Sequence, residues 1–242
     1  MFGRTERNYP KALTAGPDHG DQGLRDGLRW LMKKVSEVGG APLIVAPGRA
    51  NVDHNSLLSE FVKRTGVTVA TWRSRPREWH GGPVLAAWPT REKLGEIADD
   101  PRTAALCVVP WGKGEVDAWA AAESPELLGP AAVTESAELD PVIVEGLKTL
   151  TAMVNMGNNL AGSLDHRDAV AVLRTLKDGG YRLLPDAIYS WAIRNQWSAQ
   201  GAERLRELAA KFEAGKRPPL KGGYPLRSDI LGVWRRESTQ NR

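Results

Sequence analysis

The chain has 242 residues, 41% of them apolar and 26% charged, ordinary proportions for a globular protein with one large or two modest cores. No apolar stretch approaches the roughly 18 residues of a membrane span, the N-terminus lacks a signal-peptide core, and the single cysteine, Cys107, excludes internal disulfides and a CxxC metal site. A soluble cytoplasmic protein is expected. The net charge of +4 is uneven: residues 216–242 hold 7 Lys/Arg against 2 Asp/Glu, residues 41–129 hold 10 against 11, and residues 130–215 hold 9 against 11. The folded body is therefore slightly acidic, and a broad basic face for nucleic acid is not expected on it.

Residues 1–23 are polar and rich in Gly and Pro, which predicts a flexible N-terminal arm. Leu24, Leu28, Leu31, Val35 and Val38 recur at helical spacing until Gly39-Gly40. Strand and helix then alternate. Leu43–Ala46 reads as a buried strand, and Leu57, Leu58, Phe61 and Val62 as a helix face closed by Gly66. Val67–Thr71 and Pro83–Ala87 read as strands joined by a long loop. Thr90 caps a helix through Ile97, Ala104–Val109 is a fourth strand, and Glu115–Glu123 a helix. The alternation predicts an α/β domain over residues 24–123 with a four-stranded parallel, Rossmann-like sheet.

Residues 124–139 read as a linker, and the pattern beyond is helical only. Asp140-Pro141 opens one helix, Asp165 caps a second, Pro185 opens a third and Ser198 caps a fourth. They predict a small all-helical C-terminal domain over residues 140–215. Residues 216–242 form a basic C-terminal tail, although Ile230, Leu231, Val233 and Trp234 suggest that its end docks.

Three apolar runs end on tryptophan: Trp72, Trp88 and Trp111. If those runs are neighbouring parallel strands, three indoles share the carboxyl edge where open α/β sheets bind ligands. The loop after the first strand offers Gly48, Arg49 and Asn51 to an anion, but neither GxGxxG nor GxxxxGK[ST] is present. The loop after the second strand interleaves Trp72, Arg73, Arg75, Arg77 and Trp79, residue types that stack on bases and neutralise phosphates. Trp111-Gly112-Lys113 leaves the fourth strand as a flexible loop with one cation. Together the rim loops (47–56, 72–82 and 110–115) carry 5 Lys/Arg against 3 Asp/Glu.

These features lead to a non-catalytic binding protein taking a small anionic, nucleotide-like ligand. Its candidate ligand-binding residues are Gly48, Arg49, Asn51, Trp72, Arg73, Arg75, Trp79, Trp88, Trp111 and Lys113. Three other readings compete. A nucleic-acid-associated protein would use Arg73, Arg75, Arg77, Arg204, Lys216, Arg217 and Lys221, and the same basic tail would suit a protein partner. An assembly protein would bury the tryptophans in an interface. A hydrolase or transferase would use Asp53, His54 and His80, which lack the spacing of any known metal or nucleophile motif. No cofactor, metal or membrane partner is implied. Sequence leaves the oligomeric state open.

Overall fold

A computed structural model describes residues 8–74, 77–134 and 137–240. The chain divides into two compact units, residues 1–135 and 136–242. The first unit contains, in order, β1 (Lys11–Thr14), α1 (Gln22–Val38), β2 (Leu43–Ala46), α2 (Arg49–Asp53), α3 (Ser56–Thr65), β3 (Thr68–Thr71), β4 (Gly82–Ala87), α4 (Arg91–Asp99), β5 (Thr103–Val109), α5 (Asp117–Glu123) and β6 (Glu126–Leu128). Its sheet has the order β3-β2-β4-β5-β1-β6 and every pairing is parallel.

The unit is α/β with a parallel sheet, but the sheet has six strands rather than the expected four. The two unforeseen strands are the short ones. β1 has four residues, and Ala12 and Leu13 are its only apolar ones; Ala12, Leu13 and Thr14 are at most 2% exposed because β5 and β6 flank them. Within the segment expected as a loose arm, Lys11–Thr14 is thus a strand one place in from the sheet edge. Residues 1–7 lie outside the described ones. β6, three residues long, opens the expected linker.

Connections run across the sheet in two directions, and this decides which face each helix covers. β1 to β2 and β2 to β3 run one way; β4 to β5 and β5 to β6 run the other. Right-handed crossovers put helices of opposite direction on opposite faces. The packing agrees: Leu28 and Leu31 of α1, Val52 of α2 and Leu58 and Phe61 of α3 cluster with Ile44, Leu85 and Cys107 of the strands. The alternate strand residues, such as Val45, Ala86 and Val108, point the other way and are at most 6% exposed. α4 packs against β5 from that side. A sheet covered on both faces explains why its middle strands read as unbroken apolar runs.

The β3–β4 connection must return the chain from the carboxyl edge to the amino edge, past β2. That requirement carries Trp79 and His80 to the amino edge. Trp79 is buried and donates its indole N–H to the Ala41 carbonyl at 2.7 Å. The Arg102 guanidinium lies 5.1 Å from the Trp79 ring centroid and donates to the Trp79 carbonyl at 3.2 Å. It also forks onto Asp100 through Nε at 3.1 Å and Nη2 at 2.9 Å. The Asp100 carboxylate, by hydrogen bond and charge, holds the Arg102 pKa above its ordinary value.

The second unit comprises α6 (Pro141–Met153), α7 (Ser163–Asp178), α8 (Pro185–Arg194), α9 (Ala199–Glu213) and α10 (Ile230–Gln240). Asp140 and Ser198 cap α6 and α9 through the N–H groups of Val142 and Gly201. Asp165 caps no helix. Gly162 is the N-cap of α7, and the Asp165 carboxylate instead ties down the preceding loop through Asn155 N–H and Asn158 Nδ2, each at 3.0 Å. Two buried tryptophans are anchored alike on α6: Trp197 donates to Thr151 Oγ1 at 3.0 Å and Trp234 to Thr149 Oγ1 at 2.8 Å. Each threonine spends its own proton on a carbonyl four residues back, so its lone pair is free to accept. Trp234 sits on α10, which packs on α6. The expected tail therefore ends in a helix belonging to the core.

Glu213 closes the α7–α9 side. It receives Lys177 Nζ and the Leu183 N–H, both at 2.7 Å. Partial burial alone would raise its pKa, but Lys177, the Leu183 N–H and nearby Arg182 outweigh it and hold the carboxyl below its usual range. A carboxyl depressed in the folded state stabilises above its unfolded pKa and loses that contribution as pH falls through the folded value. Glu213→Gln is expected to lower stability by about 1 kcal/mol at neutral pH. The gap to wild type should close below pH ~4, as followed by urea denaturation at stepped pH.

Candidate functional site

The carboxyl ends of β2 and β4 are adjacent, and the chain leaves them toward opposite faces: α2 and α3 on one, α4 on the other. Such a reversal opens a crevice between two loops. Here the loops are Pro47-Gly48-Arg49 after β2 and Trp88-Pro89-Thr90 after β4. The loop Pro110–Glu115 after β5 lies alongside.

Trp88 is the most unusual residue of this edge. It is a non-glycine with φ 56°, a left-handed backbone that costs an L-residue on the order of 1 kcal/mol. Its N–H donates to the Val109 carbonyl at 2.8 Å, extending the β4–β5 ladder by one bond and holding the turn. Its indole meets Trp111 edge to face, with centroids 5.9 Å apart and planes at 85°. One side of the pair is anchored, since Trp88 packs partly on the α1–α3 core. The other side is open: Trp111 is 56% exposed, an unusual state for so large an apolar ring.

Trp72 does not join them. β2 separates β3 from β4, so Trp72 stands two strand spacings, ~10 Å, from Trp88. It and Arg73 form the tip of a tight reversal in which Thr71 and Ser74 exchange backbone hydrogen bonds of 3.1 and 3.0 Å. Trp72 is half-buried and Arg73 exposed. The expectation of three crowded indoles is thus corrected to an adjacent pair and an outlier.

The polar groups fare unevenly. Arg49 is exposed and pairs with Asp53 at 3.1 Å; both side chains are more than half exposed, so the pair is weak and Arg49 can swing away. Gly48 is the N-cap of α2 in extended backbone, with Asn51 Oδ1 beside it. Only five residues long, α2 offers little helix dipole to an anion, and Asn55 caps a separate α3. Lys113 is exposed. Trp79 is withdrawn from the site by burial at the amino edge, Arg77 is exposed in the same returning loop, and Arg75 lies outside the described residues. Among the described residues the rim keeps Arg49, Arg73 and Lys113 against Asp53 and Glu115.

The remaining candidates are dispersed. Asp53 and His54 stand at the carboxyl edge and His80 at the amino edge, so they cannot act on one substrate atom. Among the described residues no group of three or more His, Cys, Asp and Glu side chains is placed to hold a metal ion. Cys107 is fully buried in β5, and burial, aided by Glu126 and Asp26, pushes its thiol pKa far up. Arg204 donates to the Asn159 carbonyl at 2.7 Å in the second unit. Sequence reasoning missed the strained turn at Trp88 and the carboxyl end of β1, Thr14-Ala15-Gly16, which shares this edge. Proline after Trp88 favours extended backbone at Trp88, so the local signal pointed away from the first; nothing marked the second.

No helix among the described residues is long and apolar enough to cross a membrane. No curated protein and no solved structure gives a significant match to the chain. Residues 139–235 are similar to a domain of unknown function, DUF1889, a likeness that covers most of the helical unit and none of the sheet.

Proposed function

We propose that the first unit is a cytoplasmic, non-catalytic binding module that takes an anionic ligand with a planar, nucleotide-like group, in the manner of a Rossmann-like sheet. One observation carries the reading. Trp111 offers an open indole face braced by Trp88, and Trp88 is held in a left-handed backbone at the reversal between β2 and β4. Backbone strain of this kind persists where neighbouring structure enforces it, and it concentrates at ligand clamps. The ligand's ring stacks on Trp111, while Lys113 and Arg49 meet its anionic group. Trp72 and Arg73, farther along the edge, contact only an extended ligand.

The test is a titration of tryptophan emission with nucleotides and phosphosugars. Saturable quenching is expected. Trp111→Ala should abolish it while changing stability by no more than ~0.5 kcal/mol, since the side chain is largely in water. Lys113→Ala with Arg49→Ala should weaken binding about tenfold. A flat titration across both ligand classes would overturn the reading. If Trp111→Ala instead converts an oligomer to a monomer in light scattering, the tryptophan pair is an interface.

A further inference from the structure

We propose that residues 216–236 form a strap that binds single-stranded nucleic acid along α7, a second site in the helical unit and independent of the sheet edge. The strap is built into this unit. Arg174 donates to the Pro218 carbonyl at 2.6 Å, and Arg217 meets Asp178 at 3.0 Å. The Tyr224 and Thr175 hydroxyls share a hydrogen bond, and Arg235 Nε reaches the Tyr181 hydroxyl at 3.0 Å. Gly222 lies against Arg167. The strap thus passes along α7 from Asp178 to Arg167, about 17 Å at the helical rise per residue, then turns back to Thr175 and to Tyr181 beyond the helix.

While the backbone of the strap is tied down, its cations remain in water. Lys216, Lys221 and Arg236 are exposed and form no ion pair with any described residue. Of the two carboxylates in residues 216–242, Asp229 is held by Arg227 at 2.5 Å, with the charge of Arg236 also acting on it. Aromatic surface accompanies the charge: Tyr224 is 49% exposed with its hydroxyl pinned, so its ring direction is set before any ligand arrives. Exposed cations on a backbone tied to α7, beside a half-exposed ring, are the chemistry that holds a sugar-phosphate strand and stacks a base. A track of this length accommodates on the order of four nucleotides.

Competing occupants fit less well. Among the described residues of the strap no large apolar side chain other than Tyr224 is exposed, so nothing is placed to enter a bilayer. Lys216 and Lys221 lie outside any helix and only Arg236 of the three sits on one, α10, so no basic helix is offered to a major groove.

The experiment is fluorescence anisotropy of the full chain with labelled twelve-nucleotide oligo-dT and oligo-U from about 50 mM salt upward. Saturable binding that weakens with salt is expected. Combining Lys216→Ala, Lys221→Ala and Arg236→Ala should weaken it at least ~10-fold and flatten the log–log salt slope by about 2, the share of three phosphate contacts. Tyr224→Ala should cost about tenfold and Tyr224→Phe far less, because stacking survives loss of the hydroxyl. Trp111→Ala should leave oligonucleotide binding unchanged, which separates this proposal from the sheet-edge reading. The proposal is overturned by binding that ignores the triple substitution, by equal affinity for a duplex, or by capture on phosphatidylserine vesicles without oligonucleotide binding.

Discussion

Trp234→Ala should unfold most of the second unit near physiological temperature. The side chain is fully buried, and its N–H donates to Thr149 on α6. Truncating a buried tryptophan removes transfer free energy and leaves a cavity, together about 3–5 kcal/mol. A unit of this size is stable by ~5–15 kcal/mol, so the loss is a large fraction of the whole. At roughly 4–8 °C per kcal/mol, the melting transition of the unit should fall by about 12–40 °C. Trp234→Phe keeps most of the packing and should cost far less, about 1–2 kcal/mol, because Thr149 still donates to the Glu145 carbonyl. The pair is read by calorimetry. A tail that was merely solvated would leave the transition in place for both variants.

The second large effect is expected at the amino edge of the sheet. Gly82 opens β4 with φ 149°, and a Cβ there would lie 2.4 Å from the Ala41 carbonyl oxygen and 2.7 Å from its nitrogen. Both atoms belong to backbone that is itself fixed, since Ala41 N–H donates to Gly81 and Gly82 N–H to Arg102, each at 3.0 Å. Gly82→Ala should therefore destabilise the first unit by about 3 kcal/mol or more, from backbone strain and overpacking together. Gly66→Ala is the control: it too is left-handed, φ 67°, but meets nothing within 4 Å, and should cost only ~1 kcal/mol. Chemical denaturation of the two variants measures the difference. Equal losses would mean that the β2–β4–β5 junction relaxes freely.

What could be read in the sequence follows from which physical signals are local. β2 is legible from Leu43 to Ala46 because four consecutive apolar residues are buried on both faces. Thr90, Asp140 and Ser198 are legible as caps because a cap is a bond to a residue two or three positions on. β1 and β6 are not legible. Lys11–Thr14 is a strand because β5 and β6 flank it, and neither partner is near it in sequence. Asp165 misled for the same reason: its carboxylate found the N–H of Asn155, ten residues back.

The candidate site divides along the same line. That Trp72, Trp88 and Trp111 follow strands was readable, and each does. That β2 lies between Trp72 and Trp88 is a matter of strand order, which loop composition does not encode. The fate of the loop after Trp72 was deducible in principle, since a parallel connection must regain the amino edge, and Trp79 and His80 accordingly end there. What sequence could not supply is the turn that swings Trp88 into left-handed backbone and sets it against Trp111.

The central claim is that this tryptophan pair is a ligand surface, and the indole N–H signals of the nine tryptophans test it most directly. In a nitrogen-15 correlation spectrum titrated with a nucleoside phosphate, the Trp111 and Trp88 signals should move progressively to saturation. Those of Trp197 and Trp234, anchored on α6 in the other unit, should stay fixed. Spectra unchanged at millimolar nucleotide, or shifts that spare Trp88 and Trp111, would contradict the account.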